Sequence, residues 1–360
     1  METLALHAHH ARLSARFGSL LGKEVVLHYG PKGEALPVFE EETALREAVG
    51  LVDLSFRDVV RVSGPDRLTF LHGMLTQDVK GLPESAVAYA ALLTAKGAMV
   101  ADVRLVRREE DVLLLLEPGL AAPVLSHLQR FLISEEAEVT DVSHDFGQLA
   151  LQGPRAWTLA QRLFGLPGHA PPKAFALLGG LEGHAVRVLP SGLLLDGVDL
   201  LVSKEGLEAV FTALLDTGDA EGLRPVGFSA LEVLRVEHGV PRYGLDMDER
   251  TIPLEANLER ALHYQKGCYV GQEVIARATF RGHMNKRLVG LLLGTAQPEP
   301  RTELFHGDKK VGFVTSVVHS ARLGQTVGLG YVHRDVLAPG TPLRLAGDTG
   351  VATVHALPFA

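Results

Sequence analysis

The stretch Lys266–Glu273, "KGCYVGQE", decides how the rest of the chain is read. It holds the only cysteine in 360 residues. That cysteine lies between two glycines, just after a lysine and ahead of a glutamine and a glutamate. The surrounding segment, "TIPLEANLERALHYQKGCYVGQEVIARATFRG", reads as helix, turn, helix. Pro253 suits a first helical turn, and Leu254, Leu258 and Leu262 form one stripe. Gly267, in a left-handed conformation, ends that helix. The next helix starts near Gly271, with Gln272 and Glu273 in its first turn, where an acidic side chain suits the dipole. Cys268 then precedes a helix N-terminus and neighbours Lys266, and both features favour a thiolate. The plain alternative is that a lone cysteine is a small buried hydrophobe. Nothing local marks a triad partner, and Cys268, His263 and His283 lack any recognisable metal-ligand spacing.

Composition narrows the field. A chain of this length divides into two or three domains, and 46% hydrophobic with 22% charged residues describes a packed globular protein. A net charge of -8 argues against whole-surface nucleic-acid binding. One cysteine permits no internal disulfide and no four-cysteine metal site. The N-terminal "METLALHAHHARL" lacks the segments of a signal peptide, and apolar runs such as "VLLLL" from Val112 are too short to span a bilayer. The expectation is a cytoplasmic protein with no membrane partner.

Periodicity outlines the fold. "EEETALREAVGL" reads as a helix ended by Gly50, with Ala44, Leu45, Ala48 and Val49 as its buried stripe. "VVRVSG" is a strand, and "PDRLTFLHGMLTQDV" a helix carrying Leu68, Leu71 and Leu75. "AMVADVRLVRREEDVLLLLEP" is a hairpin that turns at Arg108–Asp111. "AAPVLSHLQRFL" is a helix. A second round follows: "GQLALQG" as strand, "PRAWTLAQRLFG" as helix, "AVRVLP" and "GLLLDGVDLLVS" as strands, "EGLEAVFTALLDTG" as helix. Strand–helix–strand–strand–helix order, seen twice, implies an α+β protein with two related antiparallel units. After Met284 only short strands between Gly, Pro and Asp turns remain, which reads as a β-barrel. The expected division is 1–283 and 284–360, with the break near Gly282–Asn285.

"KGCYVGQE" resembles the signature of the YgfZ-type folate-binding proteins, linked to iron–sulfur cluster assembly and repair. These share a superfamily with the T-protein of the glycine cleavage system, an aminomethyltransferase. The resemblance spans nearly the whole chain, through "ALREAVGLVDLS", "VSGPDRLTFLHGMLTQDV", "GLRPVGFSALEVLRVEHGVPRYGLDMDERTIPLEANL", "VGFVTSVVHSARLGQTVGLGYV", "PGTPL" and the terminal "LPF". It implies a three-domain cloverleaf around a folate channel, with tetrahydrofolate or a one-carbon derivative as cofactor. It also implies iron–sulfur client proteins or assembly factors as partners, and an influence on tRNA modification that is direct or runs through an iron–sulfur enzyme.

The members differ in chemistry. T-protein-like sequences carry Gly-Gly-x-x-Asp-Asp. The matching "KGAMVADVRL" keeps the second acid as Asp102 and has Ala101 for the first. Where a T-protein tends to have a pterin-binding glutamate, this chain has Leu195, and leucine cannot accept paired N–H donors. On this resemblance Cys268 is the functional thiol, Lys266 tunes it, and Asp102 contacts folate. Arg235 and Glu237 of "LRVEHG" lie beside the folate; they would share a face on a strand and diverge on a helix. Tyr269, Gln272 and Glu273 line the channel, or the last two brace the motif. Arg277, Arg281, Lys286 and Arg287, with His283, form a basic run suited to a polyglutamate tail or a phosphate backbone. The rival readings are a tetrahydrofolate-dependent aminomethyltransferase, a folate-dependent demethylase, and an interaction protein that has lost folate.

Overall fold

The computed structural model describes residues 2–30, 36–168, 170–192, 196–280, 282 and 284–359. Leu195, Arg281 and His283 therefore lie outside the described residues. The chain forms two compact units, Met1–Ala90 with Ala101–Leu231, and Ala91–Val100 with Glu232–Ala360. No helix among the described residues is long and apolar enough to cross a membrane.

The first unit is built on two sheets of related topology. In one the order is Val87–Leu93, Met99–Arg107, Asp111–Leu116, Asp58–Ser63, Glu138–Asp141. In the other it is Leu177–Leu181, His184–Pro190, Gly197–Ser203, Phe146–Gln152, Val49–Asp53, Leu223–Pro225. The expected repeat is present, with two extra strands in each round that the sequence reading passed over, Val87–Leu93 and Glu138–Asp141 in the first and Leu177–Leu181 and Leu223–Pro225 in the second. Leu223–Pro225 pairs with Val49–Asp53 in parallel, whereas Val49–Asp53 with Phe146–Gln152, Phe146–Gln152 with Gly197–Ser203, and Asp58–Ser63 with Asp111–Leu116 pair antiparallel. The hairpin turns where expected, Arg107 pairing with Val112.

Strand alternation explains the layers. Val198, Leu200 and Val202 face the helices Ala156–Phe164 and Lys204–Gly218, in one cluster with Leu159, Phe164, Val210 and Phe211. Leu201, in the opposite phase, packs with Val59, Val106, Leu113, Leu115 and Leu189. That second cluster is an apolar layer between the two sheets. Each buried aliphatic side chain in it contributes about 1.5–3 kcal/mol.

Two local readings are corrected. The helix Leu36–Glu47 stops before Gly50, which lies inside the strand Val49–Asp53. A Cβ on Gly50 would sit 2.5 Å from Leu45 Cδ2 and 2.9 Å from Val226 Cγ2. The glycine is there for close packing rather than as a cap, and Ala48 is only half-buried. Glu41 fastens this helix by accepting the Tyr29 and Gly227 backbone N–H groups at 2.7 and 2.9 Å. The sequence reading also passed over the hairpin Ala15–Leu20/Lys23–Tyr29. Its two-residue turn places Leu21 and Gly22 at φ 49° and 87°, a conformation that matches the twist of the strands.

The second unit contains a closed barrel in the order Lys286–Gly294, Gln325–His333, Lys309–Ser320, Glu303–His306, Pro342–Leu345, Val351–His355. This is the expected C-terminal barrel. The helix expected after Pro253 is absent. In its place stand two single 3-10 turns, Pro253–Ala256 and Glu259–Ala261. Asn257 breaks the run with φ 58° and donates its side-chain N–H to the Leu288 carbonyl at 2.9 Å. Leu254, Leu258 and Leu262 are all buried, but from separate turns rather than one stripe.

Candidate functional site

In the first unit, the apolar layer between the sheets gives way to charge, and alternation alone accounts for this. Asp102 and Arg104 share a face of their strand with Val106. Arg57 is in phase with Val59, Glu117 with Leu113 and Leu115, and Asp199 with Leu201. Three carboxyls and two guanidiniums thus continue the apolar layer at this end. Arg57 donates to Glu117 at 2.9 Å. Arg104 pairs with Asp199, which also accepts from the Gln152 amide at 3.2 Å. Tyr89 donates its hydroxyl to Asp102 Oδ2 at 2.8 Å. Asp102 Oδ1 is buried and has no hydrogen-bond partner among the described residues. Burial, and then the Glu117 charge, push the Asp102 carboxyl up to about 6, against the pull of the Tyr89 hydrogen bond and Arg57.

Buried ion pairs are roughly neutral for stability against apolar side chains of the same size. A carboxyl with one oxygen anchored and the other buried without a partner is a candidate ligand-facing group. Such a group accepts an N–H or O–H when ionised and donates when protonated. Sequence reasoning found Asp102 and missed Tyr89, Arg57, Glu117, Arg104 and Asp199. The signal was present as charged residues in phase with buried alternating ones. Ala101 points the other way and is fully buried, which accounts for an uncharged residue there.

In the second unit, Cys268 is exposed, so the buried-hydrophobe alternative does not hold. The helix after it is Gln272–Phe280. Gln272 closes the turn before it: its Oε1 accepts the Tyr269 N–H and its own N–H reaches the Tyr269 carbonyl, both at 3.2 Å. Lys266 is buried, with Nζ 5.0 Å from the centre of the Tyr269 ring, so its ammonium is directed to that ring. Burial, with Tyr264 nearby, pushes the Tyr269 phenol up to about 12. Glu273 is exposed and pairs with Arg277 one turn on. The left-handed glycine is Gly271 (φ 86°) and not Gly267. A Cβ on Gly271 would lie 2.6 Å from the Thr94 carbonyl, and one on Gly97 would lie 2.7 Å from Val274 Cβ. The motif therefore rests on the hairpin tip at Thr94–Ala98 through two glycines in close approach.

Arg235 and Glu237 lie on the helix Phe228–Glu237, where their side chains diverge. Arg235 is buried, and its guanidinium donates to Glu232, Asp246, Ser316 and the Val240 carbonyl. Glu237, also buried, accepts from Ser320 at 2.6 Å and Arg322 at 3.2 Å. Both serve the packing of the second unit, and their polar atoms are committed to protein groups. The basic run is locally neutralised where described: Arg277 by Glu273, Lys286 by Glu255 at 3.6 Å, and Arg287 by Glu259 at 2.6 Å.

Comparison with known proteins adds identity to this geometry. The GCVT N-terminal domain matches residues 6–266, and the glycine cleavage T-protein C-terminal barrel domain matches residues 286–360. Among similar proteins, one named aminomethyltransferase from Saccharopolyspora erythraea is 31% identical over 98% of this chain and 96% of its own length. Another of that name from Thermus thermophilus is 31% identical, covering 100% of this chain and 99% of its own. A solved structure, the glycine cleavage system aminomethyltransferase T of Bartonella henselae, superposes with a TM-score of 0.87 at 27% identity, covering 100% and 98% of the two chains.

Proposed function

The chain belongs to the glycine cleavage T-protein family, and from that premise we propose that it binds a reduced folate at Asp102 and handles the one-carbon unit the folate carries. In the form best supported by full-length likeness to aminomethyltransferases, the activity is tetrahydrofolate-dependent aminomethyl transfer. The observation that carries the reading is Asp102 itself, one oxygen fixed by Tyr89 and the other buried without a partner. An orphaned buried carboxylate oxygen calls for a polar ligand atom, and the N–H groups and basic nitrogens of a reduced pterin fit it. Tetrahydrofolate, when bound, supplies the nitrogens that carry the one-carbon unit. Asp102 holds or releases a proton at Oδ1, close to neutral pH, where proton exchange is most useful. Tyr89 keeps the carboxyl in place, and the surrounding aliphatic layer keeps water from it.

Cys268 supports a second reading. The only cysteine of the chain is exposed, in a turn braced by Gln272 and Gly271. This favours the YgfZ-type role, in which folate stays at Asp102 and the thiol meets iron–sulfur client proteins. The decisive experiment mixes the purified protein with tetrahydrofolate and an aminomethyl-loaded lipoyl carrier. Methylenetetrahydrofolate formed at enzymic rates supports transfer. Folate binding without turnover, together with failed complementation by Cys268→Ser in cells lacking the native copy, supports the second reading. No folate binding defeats both.

A further inference from the structure

We propose that the Arg57–Glu117 ion pair is a positioning element for Asp102: it fixes a negative charge beside that carboxyl, so that Asp102 is the one carboxyl of the cluster that takes up and gives up a proton at the ligand. This rests on the reading of Asp102 as the ligand-facing group.

The argument is one of charge pairing in a closed layer. Among the described residues, the ion pairs seen for Asp102, Glu117 and Asp199 use two guanidiniums, Arg57 with Glu117 and Arg104 with Asp199. Arg57 is committed to Glu117 at 2.9 Å, with side-chain exposures of 9% and 12%. Arg104 is committed to Asp199 and also donates to the Pro190 carbonyl. Asp102 has no ion-pair partner among the described residues, and the side chain that bonds to it is the neutral hydroxyl of Tyr89. Ionising all three acids would leave one uncompensated charge away from water, which is costly. A single proton relieves it, and the carboxyl without a cation is where that proton binds.

The groups facing Asp102 act in both directions. Burial and Glu117 favour the proton, while Tyr89 and Arg57 oppose it, and the carboxyl titrates near 6. Arg57 in turn feels Glu117 first, then Asp199 and Asp102. When Asp102 donates, its O–H bond breaks and an N–H bond forms on a basic nitrogen of the ligand. The carboxylate left behind retains the Tyr89 hydrogen bond. Glu117 touches no reacting atom in this scheme and works only through Asp102.

The test is a carboxyl carbon-13 NMR titration of aspartate-labelled protein from about pH 4 to about pH 9, with the Asp102 signal assigned by its loss in Asp102→Asn. Wild type should show an Asp102 midpoint near 6. Glu117→Gln keeps the size of the side chain and a carbonyl for Arg57, and should lower that midpoint by about one unit. If Glu117→Gln does not fold, the double change Arg57→Gln with Glu117→Gln removes both members of the pair and so leaves neither of them as a lone buried charge. It too should lower the midpoint, because Glu117 outweighs Arg57 at this carboxyl. A midpoint unmoved in both variants, or an ordinary aspartate midpoint in wild type, overturns the proposal. A parallel tetrahydrofolate titration to about 1 mM separates this from the parent reading. Absence of binding in wild type sinks the ligand assignment, while the NMR midpoint alone decides the role of the pair.

Discussion

Replacing Gly271 by alanine should damage the cysteine turn, and the size of the effect follows from two features. The residue has φ 86°, where a side chain costs about 1–2 kcal/mol. The new Cβ would also lie 2.6 Å from the Thr94 carbonyl oxygen, 3.1 Å from Leu93 Cβ and 3.2 Å from Gly97 Cα. Backbone atoms cannot rotate away, so relief requires moving the motif off the hairpin tip, at about 1–3 kcal/mol. The sum is about 2–5 kcal/mol. Gly267 is exposed with no positive φ, so its alanine variant should stay within about 0.5 kcal/mol. Urea unfolding of the two variants beside wild type measures the difference. Alkylation of Cys268 in the folded state reports whether the turn has loosened. Equal stability of the two variants, or a greater loss in Gly267→Ala, would refute the reasoning.

Three further outcomes follow from other parts of the molecule. Burial holds the Glu41 carboxyl up at about 7 against the two N–H groups it accepts, so the folded state binds its proton more tightly than the unfolded chain does. Its contribution is therefore greatest at low pH and is lost as pH rises from about 4.5 to about 7, by about 3 kcal/mol; the wild-type-minus-Glu41→Gln stability difference should fall across that window, and a flat difference counts against it. Asp246 accepts from Arg235, the Arg242 N–H, Thr315 and Ser316 in the buried interior of the second unit. Asp246→Ala leaves the buried Arg235 and Arg242 guanidiniums to share Glu232 and should cost about 3–5 kcal/mol in denaturant unfolding, whereas a loss below about 1 kcal/mol would show the network to be dispensable. Cys268→Ser should leave unfolding within about 0.5 kcal/mol of wild type because the side chain is exposed, and a larger loss would mean that the thiol is packed.

The strand "MVADVRLVR" was legible from its alternating burial and "DVLLLL" from a continuous apolar run buried throughout, and so was their pairing across Arg108–Asp111. Helical spacing was misleading at Leu254, Leu258 and Leu262. Each is buried, but the left-handed Asn257 breaks the backbone between them, and periodicity carries no record of that break. Gly50 and Gly267 were read as helix ends because glycine favours such ends. One is needed for contact with Leu45, and the left-handed role of the other belongs to Gly271. Asp102 was found through a family pattern. Its surroundings were not, because Arg57 and Glu117 are distant in sequence and meet only through strand pairing, and Asp199 joins them from the other sheet. Arg235 and Glu237 could be placed on a shared face or on diverging ones only once the segment was known to be helical.

The most direct measurement is an equilibrium titration with tetrahydrofolate, near neutral pH, of wild type and Asp102→Asn with matched circular dichroism. Loss of a hydrogen bond to a charged or proton-sharing carboxyl is worth about 1.5–3 kcal/mol, which is roughly tenfold to a hundredfold in affinity. The account predicts saturable binding by wild type and weakening of that order in the variant. Equal affinity in the two folded proteins, or no binding by either, would contradict it.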